Sequence, residues 1–235
     1  MNNTAIQWTD YTWNPVTGCD KVSPGCRNCY AEALSRRFGR SFEIELHPER
    51  LSQVDKLPSG SRVFVNSMSD FFHEEVPLEF TLRVWEEMEK RPDVTFQILT
   101  KRPGRMREFI DYITVANGHN VPKNIWLGTS IESRLYLPRL DVLRKITAST
   151  RFVSFEPLLE DIGHFDVSGI RWVIAGGESG PYHRPMDINW VRRIRDQCRI
   201  QDVAFFFKQG SGPRPGTNRV LDGRTWDEFP DEVRL

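Results

Sequence analysis

Three of the four cysteines, Cys19, Cys26 and Cys29, fall within eleven residues in the pattern Cys-x6-Cys-x2-Cys, and the fourth, Cys198, stands alone. Two residues between Cys26 and Cys29 let a tight loop turn both sulfurs to one point, and the Pro24-Gly25 turn can bring Cys19 back to it. Soft thiolates select zinc, copper(I) or an iron–sulfur cluster. A structural zinc wants four protein ligands. Only three thiols are local, so a zinc site needs a further ligand such as His47. Three thiolates suit a [4Fe-4S] cluster that keeps one iron open. A helix expected from Tyr30 to Phe38 would set its amide-rich N-terminus beside these anionic sulfurs. Cys198 lies on an apolar helical stripe with Ile188, Val191 and Ile194, which marks it as a core residue. So few thiols, so tightly clustered, exclude a disulfide scaffold and point to a reducing, cytoplasmic compartment.

Further polar groups stand where short apolar runs end. They are Ser67, Ser69 and Asp70; Lys101; Ser130; Glu156; Gly176, Gly177 and Glu178; and Lys208. Gly176-Gly177-Glu178-Ser179-Gly180 either lets a ligand approach the backbone, with Glu178 fixing an amine or hydroxyl, or makes a tight turn. Glu156 is either paired with a cation or open to a ligand, and Ser67, Ser69 and Asp70 either line a rim or cap a helix start. Lys101, Arg102, Arg105 and Arg107 form a basic loop. They read as an anion site or as a solvated face offset by Glu86, Glu87 and Glu89. The Gly210–Gly216 stretch lacks the Gly-Lys-Ser/Thr ending of a phosphate-binding loop. No HExxH pair, GxSxG elbow or Ser/His/Asp triad is present, and most of the five scattered histidines read as surface residues.

The elements that must position these groups follow one grammar from Arg62 onward. Runs at Val63–Val65, Thr95–Leu99, Ile125–Leu127, Arg151–Phe155, Trp172–Ala175 and Val203–Phe207 suit strands buried on both faces. Between them, Leu78, Leu82, Trp85 and Met88, then Met106, Phe109, Ile110 and Ile113, recur at helical spacing. Strand starts lie about 20 to 32 residues apart, the length of right-handed βαβ units. The predicted fold is therefore α/β: a (β/α) barrel or partial barrel of about six parallel strands, with a doubly wound sheet as the other possibility. In either case functional groups gather at the carboxyl edge of the strands. Residues 1–62 form an N-terminal cysteine-motif segment of the same domain, 63–208 the βα-repeat core, and 209–235 a loop and C-terminal arm. The chain is 39% hydrophobic with 32 basic and 32 acidic residues, which excludes a disordered chain and a general nucleic-acid coat. The longest apolar run, Val203–Phe207, is far too short to span a membrane.

The stretch Pro24-Gly25-Cys26-Arg27-Asn28-Cys29-Tyr30-Ala31-Glu32 resembles the cluster loop of radical S-adenosylmethionine (SAM) enzymes, where an aromatic residue commonly follows the third cysteine. More closely, the chain resembles an uncharacterised family of phage and prophage proteins named for a three-cysteine motif. That likeness rests on Thr12–Cys19, Ser154–Leu159, Gly176–Gly180 and Leu221–Asp227. The superfamily resemblance implies a radical SAM-like partial barrel in which Cys19, Cys26 and Cys29 hold three irons of a [4Fe-4S] cluster and SAM chelates the fourth. Tyr30 and the strand-end residues named above would then bind cofactor. The superfamily's first cysteine gap is shorter, and its Gly-Gly-Glu follows the second strand, where this chain has Asn66–Asp70. The implied partners are an electron donor and a nucleic-acid or nucleoside substrate. The alternative is a zinc-stabilised, non-catalytic protein that contacts nucleic acid or protein through Lys101–Arg107 and the C-terminal arm. The central geometric expectation is that the three sulfurs converge above the open mouth of the fold.

Overall fold

Short β-branched and aromatic runs alternating with amphipathic helices give a curled half-barrel in the computed structural model, which describes residues 2–118 and 120–230. The strands are β1 (Asn2–Asn3), β2 (Tyr11–Trp13), β3 (Val16–Thr17), β4 (Glu45–Leu46), β5 (Arg62–Val65), β6 (Thr95–Thr100), β7 (Ile125–Ser130), β8 (Arg151–Phe155), β9 (Trp172–Gly176) and β10 (Ala204–Gln209). The α-helices are α1 (Tyr30–Arg37), α2 (Leu78–Glu89), α3 (Pro103–Asn117), α4 (Pro138–Arg144) and α5 (Ile188–Ile200). The main sheet runs β1-β2-β5-β6-β7-β8-β9-β10, and β3 and β4 form a separate antiparallel pair. Only the β1–β2 pairing in the main sheet is antiparallel, so seven strands run parallel. Their order follows the chain without reversal, which excludes the doubly wound alternative, since that fold needs a switch point.

The count exceeds the six strands expected because β2 is a seventh. It is three residues long and ends at Asn14-Pro15, too short to show a periodicity of its own, yet it pairs in register with β5 from Tyr11↔Val63 to Trp13↔Val65. Its Trp13 is fully buried and donates its indole N–H to the Arg50 carbonyl at 2.9 Å.

Alternation along each strand sorts side chains onto two faces. One face carries Val65, Ile98, Leu127, Val153, Ala175 and Phe207 against the apolar sides of the helices, including Trp85, Phe109, Ile194 and Cys198. Cys198 is thus the core residue its stripe implied. The concave face, which no helix covers among the described residues, is aromatic at its lower end: Phe64, Trp126, Phe152, Trp172 and Phe206 pack around Trp8. A Cβ on Gly128 would stand 2.5 Å from the Phe152 ring, so glycine is what allows that ring to lie across β7.

The segment after β10 folds back onto the sheet. Phe207 N–H donates to the Trp226 carbonyl at 2.8 Å and Glu228 N–H to the Phe205 carbonyl at 3.2 Å, which pairs the segment with the free edge of β10. Phe229 then reaches under the half-barrel. Its ring sits 5.2 Å from Trp172 and 5.5 Å from Phe206, with the Arg62 guanidinium 4.0 Å above it. Residues 231–235 of the expected arm lie outside the described residues.

Candidate metal centre at the strand rim

The cysteine loop is sewn to the carboxyl edge of the sheet along most of its length. Just after β2, the Asn14 side-chain oxygen accepts from Met68 N–H at 2.9 Å and from the Ser67 hydroxyl at 3.2 Å. Gly18 N–H donates to the Met68 carbonyl at 3.0 Å and Cys19 N–H to the Phe42 carbonyl at 3.0 Å. Gly18 has φ +89°, and a Cβ there would overlap the Glu43 carbonyl oxygen at 1.8 Å, so no other residue fits before Cys19. Pro24–Cys26 form a 3-10 turn, and Cys29 caps α1. Cys26 and Cys29 are therefore held by one short turn and one helix start.

Charged side chains after β5, β6, β7 and β9 lie against the loop at the rim. Arg102, after β6, has a side chain only 5% exposed and pairs with Asp20, with Asp70 at 3.4 Å and with Glu74 at 2.8 Å. Its Nη1 also lies 3.8 Å from Cys19 Sγ. His73 Nε2 faces the Asp20 carboxylate at 3.1 Å from the same side. After β7, Glu132 is buried beneath Gly25, whose notional Cβ would sit 3.2 Å from the carboxyl carbon, and Glu132 pairs with Arg139 at 3.0 Å. After β9, Glu178 accepts from Asn28 at 3.0 Å and from Arg184 Nη2 at 2.5 Å, while that nitrogen also donates to the Pro24 carbonyl at 3.0 Å. Burial pushes the Glu178 carboxyl up, but the hydrogen bonds from Arg184 and Asn28 outweigh it and hold the pKa below the usual carboxylate range. Tyr30, the first residue of α1, donates its hydroxyl to the Ser67 carbonyl at 2.5 Å.

All three loop cysteines are free and partly exposed. Burial, reinforced by Asp70, pushes the Cys19 thiol up to about 11 against the pull of Arg102. Among the described residues no group of three or more His, Cys, Asp or Glu stands close enough to hold one metal ion. The fold lays the loop over the mouth of the sheet. His47 is buried, with its Nε2 2.8 Å from the Thr17 hydroxyl and its Nδ1 3.3 Å from Glu49.

The profile of one family, described as "Protein of unknown function (DUF5131)", matches residues 3–230. The chain belongs to that DUF5131 family. No curated protein matches it in sequence. Among solved structures it is similar to a cysteine-to-serine mutant of spore photoproduct lyase, at 16% identity and TM-score 0.48 over 80% of this chain and 61% of that one. It is similar to "Spore photoproduct lyase complexed with dinucleoside spore photoproduct" at 14% identity and TM-score 0.44, with the same shares covered. A third likeness, a cysteine-to-alanine mutant of spore photoproduct lyase, has 13% identity and TM-score 0.47 over 89% of this chain and 76% of that one. The chain thus spans 61% of the length of the first two.

The other strand-end residues of this DUF5131 protein divide into two groups. Ser130, Ser154, Glu156, Gly176 and Lys208 share the concave face above the aromatic floor, as alternation from Trp126, Phe152, Trp172 and Phe206 dictates. Lys208 and Glu156 pair at 2.5 Å, and Gly176 leaves room for that carboxyl, which would stand 3.3 Å from a Cβ there. Asp70, Ser69 and Gly177 instead hold the framework. Asp70 accepts from the Thr100 hydroxyl at 2.6 Å and Lys101 N–H at 2.9 Å, the Ser69 hydroxyl donates to the Val16 carbonyl at 3.0 Å, and Gly177 allows Ser211 N within 2.3 Å of its notional Cβ.

The basic loop is not the uniform surface face considered above. Arg102 is buried, while Arg105 and Arg107 pair with Glu108 and Asp111 of their own helix rather than with α2. Two of the five histidines, His47 and His73, are buried. Asn14, Asn28, Glu132 and Arg184 are residues at the loop and rim that the sequence does not single out by their partners. Each acts through partners distant in the chain and carries no local signature, although the positive-φ Asn66 after β5 stands where a strand-end Asn-Ser pair signals a turn.

Proposed function

We propose that the chain is a radical SAM-type iron–sulfur enzyme in which Cys19, Cys26 and Cys29 hold a [4Fe-4S] cluster at the mouth of the half-barrel. The observation that carries the reading is the anchoring of a loop with three free thiols across the carboxyl rim, tied to the ends of β5, β6 and β9. The donor set fits in kind, since such clusters take cysteine thiolates. Three buried polar atoms at the same rim, Asn66 Nδ2, Ser154 Oγ and Glu132 Oε1, lack a partner among the described residues and can be satisfied by a bound group. When bound, the cluster and SAM supply one-electron cleavage of SAM to methionine and a 5′-deoxyadenosyl radical that takes hydrogen from a substrate.

The chain's own residues do the positioning. Arg102 holds Cys19 and Asp20, while Glu178 and Arg184 hold the two ends of the Pro24–Asn28 turn. Ser130, Ser154 and the Glu156–Lys208 pair offer donors and acceptors inside the mouth. The Trp172 floor closes the lower end of the concave face. A nucleic acid or nucleoside suits polar strand ends above an aromatic floor.

Anaerobic purification with reconstitution tests the reading. The expected result is about four irons and four sulfides per chain, both lost in Cys26→Ala, with methionine and 5′-deoxyadenosine formed on adding SAM and dithionite. One zinc and no sulfide would overturn it in favour of a zinc-stabilised binding protein.

A further inference from the structure

Three segments meet at one side of the carboxyl rim: residues 23–28 of the cysteine loop, 179–185 after β9 and 211–216 after β10. Asn28 Nδ2 donates to the Tyr182 carbonyl at 2.8 Å, and Arg184 Nη2 to the Pro24 carbonyl at 3.0 Å. Gly180 N–H donates to the Gly212 carbonyl at 3.0 Å, and Met186 N–H to the Ser211 hydroxyl at 3.1 Å. Together the segments carry Arg27, His183, Arg184 and Arg214, and no Asp or Glu. The acids around them are engaged. Glu178 is held by Arg184 and Asn28, Glu132 by Arg139, and Asp20 by Arg102, while the exposed Asp187 accepts from Asn189 N–H at the start of α5. Arg27 and Arg214 are exposed and have no acidic partner among the described residues. Between them in the chain, Tyr182 stands 82% exposed.

We propose that this platform grips a single-stranded nucleic acid, with Arg27 and Arg214 on its phosphates and the Tyr182 ring stacked on one base. The proposal rests on the radical-enzyme reading above and narrows its substrate to a strand rather than a free nucleoside. Position supports it, because the Tyr182 carbonyl is bound by Asn28, the residue before Cys29. A strand held there lies beside the thiols. Composition supports a nucleic acid rather than a protein. A protein interface needs an apolar core, and these three segments contain no Leu, Ile, Val, Met, Phe or Trp. Unpaired guanidiniums engage phosphates without regard to sequence, and one exposed ring takes the face of any unstacked base. Stiffness supports it as well. Pro24, Pro181, Pro185, Pro213 and Pro215 fix their own φ, and the hydrogen bonds above join the segments, so little backbone freedom is lost on binding.

The test is fluorescence anisotropy of a labelled single-stranded oligonucleotide of about 15 nucleotides, titrated with the full chain over a range of salt, both metal-free and reconstituted. Arg27→Gln/Arg214→Gln should weaken binding at least tenfold at low salt and flatten the plot of log affinity against log salt by about 1.4, two phosphate contacts at about 0.7 each. Arg83→Gln/Arg171→Gln, which removes the same charge from exposed positions on α2 and at the start of β9, should bind within about twofold of wild type. Tyr182→Ala should cost at least about fivefold on the single strand with the salt slope unchanged, and nothing on a duplex whose bases are already stacked; Tyr182→Phe should bind like wild type. Equal losses in the two arginine pairs overturn the proposal, as does a Tyr182→Ala variant that binds the single strand like wild type. Oligonucleotide affinity unchanged in Arg27→Gln/Arg214→Gln overturns it and leaves the surface to a protein. The cluster reading fails separately: a chain that takes up no iron or sulfide yet shows these losses keeps the strand surface without the radical chemistry. A chain that cleaves SAM but binds oligonucleotide no differently in any variant keeps the chemistry without the strand.

Discussion

The two ends of the concave face are built from opposite materials. At the amino ends of the strands, Trp8, Phe64, Trp126, Phe152, Trp172, Phe206 and Phe229 close the half-barrel with rings in tilted and edge contacts, among them Trp8–Phe64 at 4.7 Å. At the carboxyl ends the same strands finish in serines, carboxylates and cations under a loop of free thiols. Aromatic burial stabilises without regard to what is bound, because it is non-directional and depends on area removed from water. Charged groups in the rim cost free energy unless each finds its partner, so that end is stable only as a complete network. An open barrel can therefore place its stability at one end and leave the other free to be polar.

Substitutions at the two ends should separate these roles. Trp172→Ala, which removes the ring at the centre of the floor, should cost about 3–5 kcal/mol in urea unfolding; a loss below about 1 kcal/mol would show that the floor is not where stability resides. Gly128→Ala forces a methyl into the Phe152 ring and should cost about 1–3 kcal/mol by the same measurement, with no change in iron uptake by the folded fraction.

At the rim, Glu178→Gln leaves Arg184 with a neutral partner and should cost about 1–2 kcal/mol. Its clearer mark is faster hydrogen exchange of residues 24–29. The pH dependence sharpens this. The Glu178 pKa is depressed in the folded state, so its stabilisation is present above the unfolded carboxylate value of about 4.3 and is lost as pH falls through the folded value. Wild type should therefore lose more stability than Glu178→Gln between about pH 5 and pH 3; parallel curves would remove Glu178 from the network. Smallest of all, Cys26→Ala and Cys29→Ala in metal-free protein should change stability by no more than about 0.5 kcal/mol, because both side chains are partly exposed.

Much of this is legible in the order of residues alone. Strand and helix alternation after Arg62 is written in side-chain periodicity, and the thiol spacing marks the loop. Cys198 on its stripe announces a core residue because burial and helical period are both local properties. β2 is hidden by its length, since three residues cannot show a period, and its membership in the sheet depends on β5 lying beside it. The C-terminal segment is hidden for a similar reason. Its polar composition suits a loop, and only the free edge of β10 makes a strand partner of it.

Composition and local pattern settle which segments are strands and helices, that the thiols sit together in the chain, and that strand ends are polar. They cannot settle which charges meet. Arg102 finds Asp20 across 82 residues, Lys208 finds Glu156 across 52, and Glu178 finds Asn28 across 150. Hydrogen bonds and ion pairs act over a few ångströms in space and are indifferent to separation along the chain. Their partners exist only once the sheet has curled and laid its carboxyl ends side by side.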